Sequence, residues 1–405
     1  MSNIAIISNA APVKGGKAEN TILGYLSKFI LEKNFNLDYF KIEQEDDLNK
    51  KILEKSKKFF FLKNKNFKLI TIKIKRKKGI INNRFIRTIL LIPSIDRSIG
   101  YEFKSIKIKT NKNYDLIICL DHAAYSLSKK FRFKKRLFIM GDPPGERVFV
   151  FNKINFQKPF IKNICLLLYS FICFKLEDYY WKWIVDTKNT YIGIFGSFTC
   201  ARFKKNLNLK TILDLRPPMP IYIDNKNYIP KKITKIVMGG SLGGSFAKST
   251  ISNFFNLVKL TTDFDFKFYL IGHDFDTTLK LKYEKSKLNI RILPPVKNFE
   301  SALSKMNIFI IPSNYYIGVR TRICAALSAG NYCIITRAVL MNMPELKHCN
   351  SVKIVENNND ELMNSFIDYH NFSYKKKIQL NKESKKFFKK NYFYPVASKK
   401  FLSII

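Results

Sequence analysis

The chain has 405 residues, 46% of them apolar, enough for two to three cored domains at about 150 residues each. Sixteen Gly and 14 Pro exclude a collagen-like or Pro/Gly-rich disordered protein. The 72 basic and 31 acidic residues leave a net charge of +41, which predicts attraction to acidic lipid, nucleic acid or phosphorylated substrates.

The N-terminus, MSNIAIISNAAPVKGG, lacks the basic start of a secretory signal. It reads as a strand over residues 4–8 that runs into a loop with Gly15 and Gly16. Residues 50–87 hold fifteen Lys/Arg and one acid, Glu54, with Phe59, Phe60, Phe61, Phe67 and Phe85 interleaved. That segment is either a face that docks on acidic membrane or an ordinary solvated helix and strand. Further strands are expected at 69–74, 116–120, 137–140 and 192–195. The most apolar stretch, ICLLLYSFICF at 164–174, has eleven residues, too few for the about 20 that a bilayer span needs. It is a buried helix or an interfacial one, with Tyr179, Tyr180, Trp181 and Trp183 at headgroup level.

Four prolines in RPPMPIYIDNKNYIPKK, residues 216–232, mark a linker. Beyond it, strands are expected at 235–238, 266–271, 290–293, 308–311 and 332–336. Near-continuous apolar strands alternating with helices predict α/β layers with parallel sheets. The second half opens as the first does, with an apolar strand and a glycine loop: KIVMGGSLGG, with Gly239, Gly240, Gly243 and Gly244. Backbone amides in such a loop, with the helix start beyond it, suit a diphosphate. Neither loop fits GxGxxG or a P-loop, which disfavours NAD and ATP.

The seven cysteines form no CxxC pair and mostly sit in apolar runs, as reduced thiols of a cytoplasmic protein do. The four histidines include no two at ligand spacing, so no metal is expected. In IFIIPSNYYIGVRTRICAALSAGNYCIIT a helix is expected from near Gly318, with Arg320, Thr321 and Arg322 in its first turn. Cations oppose the helix dipole there, and an anion between them would reverse that cost.

These segments resemble the family 4 glycosyltransferases of the GT-B fold. PSNYYIGVRTRICAALSAG is similar to that family's donor-binding segment, and MGGSLGG to its phosphate loop. FYLIGHD, NIRILPPV and ALSKMNIFIIPS follow in the family's order, and NAAPVKGGKAEN is similar to its N-terminal glycine loop. The resemblance implies an α/β protein of two Rossmann-like domains facing a central cleft. Residues 1–218 would form the acceptor-side domain and 233–388 the nucleotide-sugar domain, with a C-terminal helix at 389–405 returning to the first. The cleft would be lined by Gly16, Asp142, Gly240, Lys248 and Arg320.

The implied reaction moves a sugar from a nucleotide-sugar donor to a polysaccharide or lipid-linked acceptor, with retention of configuration. The implied setting is the cytoplasm, with the chain peripheral on the inner face of an anionic membrane. Donor contacts would come from Gly240, Gly243, Gly244, Lys248, Gly318, Arg320, Thr321 and Arg322, with Gly15 and Gly16 opposite. These groups would stabilise the leaving diphosphate without a metal, and no cofactor is implied.

Two departures from the family stand out. Its two donor-segment glutamates, eight residues apart, are matched by Ile317 and Ala325, and no Asp or Glu occurs from 301 to 344. Glu345 matches a glutamate found beyond the next strand, without taking the missing role. The family's cleft histidine is matched in LFIMGDPPGERVF by Asp142, which could orient an acceptor or steady charge on the sugar. His122, in LDHAAYS, is a weaker candidate. A catalytically silent GT-B binding protein is the alternative that the absent glutamates favour. A DNA-modifying glycosyltransferase is the one that the charge favours, although no zinc finger, RNP sequence or basic zipper occurs.

Overall fold

The computed structural model describes residues 2–12, 18–44, 64–76, 101–102, 108, 110–156, 161–185, 188–207, 211–222, 233–242, 245–261, 264–273, 288–294, 296 and 298–405. The chain divides into two compact units, Met1–Pro218 with Ala397–Ile405, and Met219–Val396.

In the first unit the described strands are β1 (Asn3–Ser8), β2 (Asn36–Gln44), β3 (Phe67–Arg76), β4 (Tyr101–Glu102), β5 (Asn113–Leu120), β6 (Arg132–Met140), β7 (Thr190–Phe195) and β8 (Ile212–Leu215). They form one sheet in the order β4-β3-β2-β1-β5-β6-β7-β8. All neighbours run parallel except β4, which is antiparallel to β3. Successive residues of β1 serve opposite faces: Ile4 and Ile6 join one core, Ala5 and Ile7 the other. A strand buried on both sides needs apolar side chains at every position. The unit's helices include α1 (Ala18–Glu32), α2 (His122–Ser128), α3 (Pro144–Ile154), α4 (Ile161–Ile184) and α5 (Ser197–Leu207). From the chain's end, Phe401 and Ile404 enter the core that holds Ile4 and Ile6.

The second unit has six described strands, all parallel: β9 (Thr234–Ser241), β10 (Phe266–His273), β11 (Ile290–Leu293), β12 (Ile308–Ile311), β13 (Tyr332–Thr336) and β14 (Val352–Val355). Their order is β11-β10-β9-β12-β13-β14. Its helices include α6 (Ser245–Leu260), α7 (Phe299–Leu303), α8 (Thr321–Ala329), α9 (Arg337–Leu340), α10 (Asn359–Asn371) and α11 (Tyr374–Asn391). In both units the strand order reverses beside the first strand, between β1 and β5 and between β9 and β12. Ligands in open α/β sheets bind at such a point, beyond the carboxyl ends of the strands.

The expected strands are all present, and β2, β4, β8 and β14 are additional. The sequence NLDYFKIEQ of β2 hides its burial behind charges. Asp38 is buried because it accepts from the Tyr114 hydroxyl at 2.7 Å and from Lys112 Nζ at 2.9 Å. Lys41 is buried with its ammonium on Glu43 at 2.7 Å.

Helix α8 starts at Thr321 rather than near Gly318. Gly318 has φ 65°, and Arg320 has φ −85° and ψ 81°, neither of them helical. Of the basic segment 50–87, the described part is 64–76, with Lys68 and Lys73 exposed on β3; the rest lies outside the described residues.

Candidate functional site

Strand β9 ends in two glycines for a steric reason. Gly240 has φ 125°, a region that side-chain-bearing residues rarely occupy. A Cβ there would also sit 2.9 Å from Cδ of Arg322. Arg322, in the first turn of α8, donates from Nη1 to the Gly239 carbonyl at 2.8 Å. One guanidinium thus ties the helix after β12 to the end of β9, across the point where the strand order reverses.

Arg320 stands at the cap of the same helix and donates from Nη2 to the Tyr315 carbonyl at 3.2 Å. Burial, then the nearby Arg320 charge, press the Arg322 guanidinium down to about 9. It still carries its proton at neutral pH, and among the described residues no carboxylate pairs with it. Two guanidinium groups at one helix start make an electropositive corner whose charge suits a phosphate-like group.

The loop between β12 and α8 is held by polar side chains. Thr336, at the end of β13, donates its hydroxyl to the Ser313 carbonyl, and the Asn342 amide donates to the Tyr316 carbonyl. Asn357 Nδ2 donates to Asn314 Oδ1 at 2.7 Å. The positions that match the family's glutamate pair are inside: Ile317 and Ala325 are both buried. Glu345 accepts from the Tyr392 hydroxyl, a tie between the 3-10 turn Pro344–His348 and the residue after α11.

In the first unit, Asp142 follows β6 and is exposed, with open space around the neighbouring Gly141. His122 is buried instead, its ring 4.6 Å from Trp181 and 5.9 Å from Phe138. It packs as a core aromatic. Asp121 is a site candidate that the sequence does not single out. It follows β5, where the order reverses beside β1, with φ 81° and ψ 172°. Such a backbone is strained for any residue but glycine and clusters at functional sites. Its carboxylate accepts from the Ala124 amide at 3.0 Å and caps α2.

Helix α3, which follows Asp142, has Pro143 at its N-cap and so no side-chain cap of its own. Glu177 of α4 supplies one, accepting from the amides of Gly145 at 2.9 Å and Glu146 at 3.1 Å. The helices touch there: a Cβ on Gly145 would lie 2.8 Å from the Cys173 carbonyl oxygen. Arg202 of α5 meets three buried carboxylates, Glu146 at 3.4 Å, Glu177 at 3.2 Å and Asp178 at 3.3 Å. One cation cannot neutralise three acids. Burial pushes the Glu177 carboxyl up to about 7, against the opposing pull of Arg202 and the two amides, and it raises Glu146 as well.

Of the remaining expected site residues, Gly15, Gly16, Gly243 and Gly244 lie outside the described residues. Lys248 falls in the first turn of α6 and Thr321 opens α8, its amide donating to the Val319 carbonyl at 3.1 Å. The structure therefore brings together Gly240, Arg320, Thr321 and Arg322 in the second unit and places Asp142 in the first.

Comparison with protein-family models gives no match, and comparison with curated protein sequences gives none either. Solved structures do match over the whole chain. WaaG, a glycosyltransferase involved in lipopolysaccharide biosynthesis, aligns with TM-score 0.58 and 11% identity over 99% of this chain and 98% of its own. A glycosyltransferase from Rickettsia africae gives 0.61 and 14%, over 100% and 97%. A TarM variant of S. aureus, in complex with fondaparinux, alpha-GlcNAc-glycerol and UDP, gives 0.64 and 10%, over 100% and 99%. At these identities the likeness establishes the fold: an α/β chain of two Rossmann-like units, as in GT-B proteins.

Proposed function

We propose that this chain is a glycosyltransferase that takes a sugar from a nucleotide-sugar donor. The observation that carries the proposal is the Arg322 guanidinium bonded to the Gly239 carbonyl at the strand-order reversal, with Arg320 beside it at the helix start. Breaking the bond between sugar and nucleoside diphosphate leaves negative charge on the diphosphate. Preorganised positive groups that hold this charge as it develops lower the barrier. Arg320 and Arg322 at the start of α8 would supply them, and the Gly240–Gly244 loop with Lys248 would add to them. No step needs a metal in this scheme.

The acceptor would be a polysaccharide or a lipid-linked glycan, and transfer would retain configuration at the sugar carbon. Asp142 would orient the acceptor hydroxyl or steady positive charge on the sugar. Its exposure after β6 fits either role. The WaaG and TarM likenesses support acceptors of this class, since one acts in lipopolysaccharide biosynthesis and the other is seen with UDP and a GlcNAc-glycerol.

A second reading is a silent GT-B protein that binds a nucleotide sugar without transferring it. It is favoured by one observation: Ile317 and Ala325 fill with buried apolar atoms the positions where the family has its glutamates. Incubation with a panel of nucleotide sugars separates the two. Release of nucleoside diphosphate, stimulated by a glycan acceptor, supports the transferase. Calorimetric binding with no release supports the silent protein, and neither binding nor release overturns both.

A further inference from the structure

We propose that α4 lies along an anionic lipid surface and holds the chain there through Ile161, Ile164, Leu168, Ile172, Tyr179 and Trp183. This interface concerns a face that takes no part in the donor site, and it stands whether or not the chain transfers sugar.

The spacing of exposure along α4 defines the face. Ser170, Cys173, Glu177 and Trp181 recur at three and four residues and are buried, so they form the stripe that faces the unit's core. The opposite stripe is apolar too, and it is open. Ile161 and Trp183 are each 81% exposed, Tyr179 73% and Leu168 57%. The stripe runs about 33 Å along the helix. An apolar patch of that length on one element marks an interaction surface rather than chance exposure.

Charge identifies the occupant. Both acids of α4, Glu177 and Asp178, are on the buried side, whereas Lys175 and Lys182 are exposed. Lys175 Nζ lies 5.4 Å from the centre of the half-exposed Phe171 ring. From α3, Lys153 Nζ lies 6.0 Å from the Phe149 ring, which itself packs 5.7 Å from Phe171. Lys175 thus stands within the stripe, where its long stem lets the ammonium reach outward, Lys153 stands beside it, and exposed Tyr179 and Trp183 end it, the composition of a helix that lies in a headgroup layer. Among the described residues no helix is long and apolar enough to cross a membrane, so α4 lies on the lipid and does not pass through it. A second copy of the chain is a poor occupant, because two bodies of charge +41 repel.

The test uses the full chain with vesicles of phosphatidylcholine alone or mixed with phosphatidylglycerol. The chain should sediment with the mixed vesicles, less with the neutral ones, and should be released as salt rises. Trp183 emission should shift to the blue on binding, and Trp183→Phe should abolish that shift while most binding survives. The triple variant Leu168→Gln, Ile172→Gln, Trp183→Gln should bind mixed vesicles at least about tenfold more weakly with an unchanged melting temperature, since only exposed apolar surface is lost. Three results would overturn the proposal: a parent chain that binds neither vesicle, a triple variant that binds as the parent does, or a triple variant that turns a dimer into a monomer with vesicle binding intact, which would assign the face to a second copy.

Discussion

Arg322 occupies the space that a side chain on Gly240 would need: an added Cβ would stand 2.9 Å from its Cδ and 3.1 Å from its Nη1. Glycine and arginine therefore act as one unit. Gly240→Ala should cost about 1–3 kcal/mol from backbone strain and displace the guanidinium from the Gly239 carbonyl. Adding Arg322→Ala removes the clash but leaves φ at 125°, so the double variant should regain only part of the loss. A double-mutant cycle by denaturant unfolding measures the coupling; strict additivity would show that the two side chains do not compete.

Arg320 should matter for binding and little for folding, because a cation at a helix start gains nothing from the dipole. A charge-assisted contact to a diphosphate is worth about 1.5–3 kcal/mol. Arg320→Ala should weaken nucleoside diphosphate binding by roughly ten- to a hundred-fold. Arg320→Lys should restore part of it, since one ammonium cannot make the paired contact of a guanidinium. Titration calorimetry that gives parent-like affinity for the Ala variant would move Arg320 out of the site.

The two aspartates at strand ends should separate by assay. Asp142→Asn should leave the unfolding midpoint where it is, because the residue is exposed, and should lower transfer by about a hundredfold or more. Asp121→Ala loses the α2 cap at a cost of about 0.5–2 kcal/mol and keeps an unfavourable positive φ. Asp121→Gly also loses the cap but suits that φ, so it should be the more stable of the pair. Thermal melts of the two variants decide this.

The cluster around Arg202 gives the unit a pH dependence of definite sign. Burial raises Glu177 to about 7, above its value of about 4.3 in the unfolded chain. Its contribution to stability is then complete below the unfolded value and is lost as pH rises through about 7. Denaturant midpoints should fall between about pH 5 and about pH 8. Glu146→Gln should flatten that fall. It removes one of the three competing acids, and its carbonyl oxygen can still accept from Thr199 at 3.1 Å. Arg202→Met should destabilise by about 3–5 kcal/mol, more at high pH, because it strands three buried carboxylates.

The two-sheet plan was legible because β12 and β13 are apolar at nearly every position and β1 and β9 carry apolar runs at their centres. Strand β2 escaped because its charges are buried in pairs: Lys41 meets Glu43 in the same strand, and Asp38 meets Lys112, 74 residues away, which leaves no local pattern. That Arg320, Thr321 and Arg322 gather at one helix start was legible from the strand, glycine and helix pattern around them. That Arg322 folds back onto Gly239 was not, since 83 residues separate them. Asp121 gave no signal either: a positive φ at an aspartate is imposed by its surroundings and leaves no mark in composition. Helix α4 was half legible. Its apolar run showed in the sequence, but which face is covered depends on where Glu177 and Trp181 find their partners.

Glu177 also does mechanical work. By holding the first amides of α3 it pins the loop that carries Asp142 to α4, and Gly145 lets the two backbones touch. If α4 rests on lipid as proposed, Asp142 rides at a fixed height above the headgroups, as on a bracket. Acceptor choice would then depend partly on reach. A hydroxyl presented at that height would meet Asp142, and one held too close to the lipid or too far above it would miss, whatever its sugar. Lengthening the spacer between lipid and acceptor sugar would lower turnover without touching a single donor contact.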